Sequence, residues 1–284
     1  MSAHPLVITV PSSVAIRSIR VNPCARADAK EASFIDTSSS EVQTMNVFFF
    51  LVIILFACFY QGITGFGSAL IAAPLALLVL DKFTVVTSLA IIGIVLNAFL
   101  FQKIKQPLNL TLLLPLCLAS MLGIPFGIWI LKTVPIDLIK IIAGSSAMLF
   151  ILLITFAEIS LPRTRPVAAI AGLLSGALQT SISMSGPPVV ILLAGTAREK
   201  NEIRKALVTF FLFVNLVSLP FFFFSSTLTL QRVSFGLFAL PCVFVGAYVG
   251  NKVVERIPQK VFRFLALATV CITSLISIYS GLSH

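Results

Sequence analysis

The chain has 284 residues, of which 58% are hydrophobic and only 11% charged, and its mean hydropathy is +1.07. That balance excludes a soluble domain with a polar surface and leaves a polytopic helical membrane protein. The net charge of +10 does not indicate a nucleic-acid partner, because the positive residues sit beside apolar runs, where insertion bias and anionic headgroups account for them.

Residues 1–45 contain Ser38-Ser39-Ser40, charges of both signs and no apolar run long enough for a signal-peptide core. A disordered tail is expected there, with Met45, next to the first apolar run, as an alternative start of translation. Beyond it, runs of about 20 apolar residues predict eight segments: 46–80, 84–101, 108–131, 136–157, 166–195, 205–225, 229–250 and 261–281. The first would have 35 residues and the fifth 30, which as straight helices would reach about 52 and 45 Å against a hydrocarbon core of roughly 30 Å. Neither is one simple span. Val47 to Cys58 and Leu207 to Leu216 are almost continuously apolar, which excludes the alternation of a membrane β-strand.

Both overlong segments are interrupted by small, helix-breaking residues. The first carries Gly62-Ile63-Thr64-Gly65-Phe66-Gly67-Ser68 leading to Pro74, and the fifth carries Gly176 to Pro188, including Gln179-Thr180-Ser181-Ile182-Ser183-Met184-Ser185-Gly186-Pro187. Backbone groups released from a helix inside a bilayer cost several kcal/mol each unless protein, water or ligand satisfies them. Interrupted helices in corresponding places of two halves are therefore where carriers bind substrate.

A duplication is legible in the spacing. Gly123, Gly127 and Pro135 recur as Gly246, Gly250 and Pro258 at an offset of 123, Asn97 recurs as Asn215 at 118, and Pro74 and Pro187 are 113 apart. The expected fold is an all-α membrane protein of about eight transmembrane helices in two repeated four-helix halves, 46–160 and 161–284, with the first helix of each half broken. The two Gly-x-x-x-Gly faces predict close helix packing. Lys82, Lys132, Lys140, Arg198, Lys200, Arg204 and Lys205 concentrate on one side of this layout, which predicts that side to be cytoplasmic.

The membrane interior is short of catalytic groups. No Asp, Lys or Arg falls mid-span, His4 and His284 lie at the chain ends, and Cys58, Cys117, Cys242 and Cys271 have no metal-ligand spacing. Neither an intramembrane hydrolase nor a metalloprotease is expected, and no metal or cofactor. What remains is hydroxyls and amides: Thr64, Ser68, Thr87, Ser88, Asn97, Gln179, Thr180, Ser181, Ser183, Ser185, Thr209 and Asn215. With no buried carboxylate to repel negative charge and helix N-termini to supply N–H donors, this inventory suits a small oxyanion. The expected substrate site sets Thr64, Gly65, Gly67 and Ser68 opposite Ser183, Ser185 and Gly186. Asn97 and Asn215 would brace the broken backbone, with Pro74 and Pro187 in support.

Gln61-Gly62-Ile63-Thr64-Gly65-Phe66-Gly67-Ser68 through Pro74, together with Leu174-Ser175-Gly176 through Ser185-Gly186-Pro187-Pro188-Val189-Val190, resemble the two signature regions of the TauE/SafE sulfite exporter family. The resemblance covers about residues 46 to 282. It implies a permease of the inner or plasma membrane that moves sulfite, sulfonates such as sulfoacetate or related organic anions, usually outward. Gly67-Ser68-Ala69 departs from members that carry further glycines there. Partners on this reading are the anion and membrane lipids, with a homo-oligomer left open. The rival readings are an anion channel and a non-transporting membrane scaffold assembled through the Gly-x-x-x-Gly faces.

Overall fold

The computed structural model describes residues 45–64, 66–108, 110–156, 164–194, 200–253 and 259–283, and these are helical with no strand among them. The predicted tail, Gly65 and Arg198 lie outside the described residues. The helices are α1 Met45–Thr64, α2 Ser68–Ala76, α3 Lys82–Lys103, α4 Leu110–Thr133, α5 Ile136–Phe156, α6 Arg165–Ile182, α7 Gly186–Ala194, α8 Lys200–Phe224, α9 Leu230–Phe238, α10 Leu240–Val253 and α11 Gln259–Leu282. Five described stretches are each long and apolar enough to cross a bilayer: Met45–Thr64, Lys82–Lys103, Leu110–Thr133, Glu202–Phe224 and the joined α9–α10, Leu230–Val253.

Both overlong segments are broken where their small residues fall, between α1 and α2 and between α6 and α7. Gly67 caps the start of α2 with φ at 96°, and a Cβ there would also lie 2.6 Å from the Tyr60 ring, so conformation and space both require glycine. The second break uses a serine instead. Ser183 ends α6 in the left-handed region at φ 59°, its N–H donating to Gln179 O at 2.9 Å and the Met184 N–H to Leu178 O at 3.2 Å. Such a left-handed cap satisfies carbonyls that the helix end would orphan. A further interruption falls at Ala239, where α9 stops and α10 begins with Pro241 in its first turn. Pro115, Pro125 and Pro220, by contrast, are carried inside α4 and α8.

The Gly-x-x-x-Gly faces pack as their composition predicts. A Cβ on Gly123 or Gly127 of α4 would collide with the carbonyl oxygens of Leu173 and Ala177 on α6, and one on Gly172 or Gly176 of α6 would collide with those of Leu116 and Ser120 on α4. On α10, a Cβ at Gly246 would lie 2.6 Å from Leu55 O, and one at Gly250 would collide with Phe59 O on α1. Each seam therefore sets helix backbone against helix backbone. The opposite face of α4 presents Leu110, Leu114, Leu118, Leu122, Phe126 and Trp129 outward, all exposed. A helix apolar on every side, with its small residues inward and its large ones outward, is what a hydrocarbon surround allows and water does not.

Candidate functional site

Where the two breaks meet lies a cavity of about 590 Å³, its opening included, walled by residues of both breaks and of α1, α3 and α8. Gly67, Ser68 and Ala69 bring the N-terminus of α2 to it, and Ser185 and Gly186 bring that of α7. Between them stand four carboxamides: Gln61 near the end of α1, Asn97 in α3, Gln179 near the end of α6 and Asn215 in α8. All four are buried, at 3 to 5% exposure. Burial at that level makes hydrogen-bond bookkeeping decisive, because an unpaired polar group there costs about 1–3 kcal/mol.

The bonds form two short chains of the same design. Gln61 Nε2 donates to Asn97 Oδ1 at 2.9 Å, and Asn97 Nδ2 donates to Gly93 O at 2.7 Å. Gln179 Nε2 donates to Asn215 Oδ1 at 2.8 Å, and Asn215 Nδ2 donates to Phe211 O at 2.7 Å. In both chains Gln and Asn are 36 residues apart. The backbone carbonyl at the end of each chain accepts only, which fixes which asparagine atom is nitrogen and therefore which glutamine atom is the donor. In the first chain the other end is fixed as well, since Gln61 Oε1 accepts from the Ser68 N–H at 3.3 Å and from the Ser68 hydroxyl.

This direction of bonding has a chemical consequence. The oxygens of Gln61, Asn97 and Asn215 are occupied by protein donors, whereas each carboxamide nitrogen has spent only one of its two hydrogens on the bonds above. The polar groups left over are mostly N–H and O–H. Two helix N-termini add partial positive charge, although Pro187 and Pro188 remove two N–H donors from the first turn of α7. A cavity biased toward donors in this way solvates negative charge.

The expected site residues divide. Gly67, Ser68, Ser183, Ser185 and Gly186 line the cavity, as do Asn97 and Asn215. Thr64 is not in its wall: the Thr64 hydroxyl donates to Tyr60 O at 2.9 Å and Phe66 O at 2.5 Å, tying the break together. Asn97 and Asn215 hold glutamine side chains in the last turns of α1 and α6, where bracing of the broken backbone itself was expected. Pro74 lies in the middle of α2 and Pro187 in the first turn of α7, so they are not counterparts. Gln61 is the site residue missing from the sequence expectation. The signal for it was present, since Gln61 precedes Gln179 by 118, the offset that relates Asn97 to Asn215.

Arg204 and Lys205, expected in a loop, sit in the first turns of α8 with their charges turned inward. Arg204 Nη2 donates to Gly62 O at 2.5 Å and to Asn251 Oδ1 at 3.3 Å, and Lys205 Nζ to Phe101 O at 2.5 Å. Cations at carbonyl-rich helix ends are favourable, and here they cap α1 and α3. Among the described residues no cluster of His, Cys, Asp and Glu could hold a metal ion.

Apolar helices crossing a bilayer around a donor-lined cavity, two of them interrupted at its wall, define a multi-pass membrane protein of the transporter class. The family model described as Sulfite exporter TauE/SafE matches residues 50–277, and the chain belongs to that family of membrane transporters. Comparison with curated proteins and with solved structures gave no match.

Proposed function

We propose that the protein is a secondary permease for small oxyanions such as sulfite and sulfonates, working by alternating access and exporting its substrate across the cell membrane. The observation that carries this reading is the direction of the carboxamide chains, which spends three of the four carboxamide oxygens on protein donors and leaves each nitrogen with a hydrogen to spare. Gly67 and Ser68 on one side and Ser183, Ser185 and Gly186 on the other hold the anion, with Gln61, Asn97, Gln179 and Asn215 behind them. Thr64 ties the first break together. Family membership supports the substrate class.

The same reading takes the architecture as two four-span halves, 46–160 and 161–284. It is supported by the identical Gln-to-Asn spacing and by two overlong segments broken at matching places. The test is uptake of sulfite and sulfoacetate into proteoliposomes, with and without a pH gradient. Saturable flux with counterflow is expected. Flux that fails to saturate would mean a channel, and none for either anion would remove the substrate assignment.

A further inference from the structure

The two halves of the site differ at one residue, and the difference leaves a lone acceptor. In the first half Gln61 Oε1 is capped by the N–H and hydroxyl of Ser68. At the offset of 118 that relates Gln61 to Gln179, the counterpart of Ser68 is Gly186, which has no hydroxyl. Gln179 is 3% exposed and lines the cavity, its nitrogen is committed to Asn215, and no described residue donates to its Oε1. The Ser185 hydroxyl, on another part of the same cavity wall, makes no hydrogen bond to any described residue and is itself both donor and acceptor.

We propose, resting on the permease reading, that Gln179 Oε1 accepts a hydrogen bond from the transported anion. This narrows the proposed substrate class to a small oxyanion that still carries an O–H, of which hydrogensulfite is the simplest, and makes sulfonates, which carry none, poor substrates. Against a bare oxyanion, Gln179 Oε1 would face lone pairs and stay unpaired in a buried site, the situation in which a hydrogen-bonding pocket rejects an analogue lacking the matching group. Against a protonated one, the substrate supplies the donor that Ser68 supplies in the first half. A second negative charge is disfavoured for a further reason, since among the described residues lining the cavity there is no cation to balance it.

Gly186 is the specificity-determining position on this account, and sterics do not demand glycine there. A Cβ at 186 would meet only the Phe211 ring, at 3.8 Å. A serine has room there, and by the same offset it stands in the chain to Gln179 as Ser68 stands to Gln61. Gly186→Ser therefore converts the second half-site into a copy of the first, and Gly186→Ala adds the same bulk without the hydroxyl.

The experiment uses the full chain in proteoliposomes and compares sulfite with methanesulfonate, a monoanion with no acidic proton, at pH 6 and pH 8 and equal total concentration. Sulfite flux should be about tenfold higher at pH 6, as one hydrogen bond to a charged ligand is gained, while methanesulfonate flux stays low and flat. Gly186→Ser should lower the sulfite-to-methanesulfonate ratio at pH 6 about tenfold, and Gly186→Ala should keep that ratio whatever it does to the flux itself. Equal transport of both anions at both pH values in the unsubstituted protein overturns the inference and leaves the permease standing. An unchanged ratio in a folded Gly186→Ser variant overturns it equally. Absence of flux for every anion overturns the permease reading and this inference together.

Discussion

The first break closes on itself and the second stays open. Between α1 and α2, Thr64 ties Tyr60 to Phe66, Ser68 caps Gln61, and Arg204 reaches in to hold Gly62 O, a carbonyl that the interrupted helix leaves without its usual partner. Between α6 and α7, Ser183 supplies the left-handed cap, and its hydroxyl donates to Val86 O at 3.3 Å across to α3, but Ser185 and Gln179 Oε1 remain turned to the cavity. One break is fastened by Thr64, Ser68 and Arg204, and the other leaves Ser185 and Gln179 Oε1 without a bond to any described residue. Two similar stretches of sequence thus end differently, the first with its polar side chains bonded within the structure and the second with polar groups left at the cavity wall.

The largest effect should come from destroying the seam behind the second break. Gly127→Leu pushes a side chain into Ala177 O and the Thr180 hydroxyl, neither of which can yield without moving α6. A loss of about 3 kcal/mol of stability is expected, read as a lowered unfolding midpoint in detergent; an unchanged midpoint would show that α4 and α6 are not clasped as described. Placing a negative charge in the site comes next. Asn97→Asp and Asn215→Asp each place a carboxylate in the cavity wall, and each should cut anion flux on the order of 100-fold through like-charge repulsion while the protein still inserts. Full flux in Asn97→Asp alone would show that only the second half meets the anion.

How far the sequence revealed this division depends on the kind of signal. The breaks were legible because length and composition demanded them: 35 and 30 apolar residues cannot run straight across a bilayer. The Gly-x-x-x-Gly seams were legible for the same reason, a small residue every fourth position. Which polar atom faces the cavity was not legible, because Thr64 and Ser185 present the same hydroxyl and only the backbone fold decides that one is spent on Tyr60 and Phe66. Arg204 and Lys205 misled for a related reason. Their charge suggested a solvated loop, yet each finds a carbonyl at a helix end, a partner invisible in a sequence. The bend at Ala239 carried a signal in Pro241, but Pro115, Pro125 and Pro220 show that proline alone does not stop a helix here.

Arg204→Gln tests the fastening of the first break alone. It withdraws the guanidinium from Gly62 O and Asn251 and should cost about 2 kcal/mol, with Arg204→Lys recovering part of it in the same unfolding assay; no change would mean that Gly62 O needs no partner. The smallest pair sharpens the contrast directly. Ser185→Ala should raise the half-saturating anion concentration about tenfold without affecting insertion, whereas Ser68→Ala, whose hydroxyl is already committed to Gln61, should shift it only about threefold. Equal shifts in transport kinetics would erase the distinction between a closed and an open break.

The glycine seams also constrain how the chain is made. α1 and α6 carry the two breaks, yet α1 rests on α10 and α6 rests on α4, so α1 waits for its backbone-to-backbone neighbour far longer than α6, which follows its own. Until α10 emerges, the groove at Leu55, Phe59 and Gly62 has no partner, and α1 must wait in lipid with its carbonyl-lined face uncovered. Assembly of this protein therefore ends on its seam, since α1 can meet α3 early, through Gln61 and Asn97, but gains its backbone-to-backbone contact only when Gly246 and Gly250 arrive.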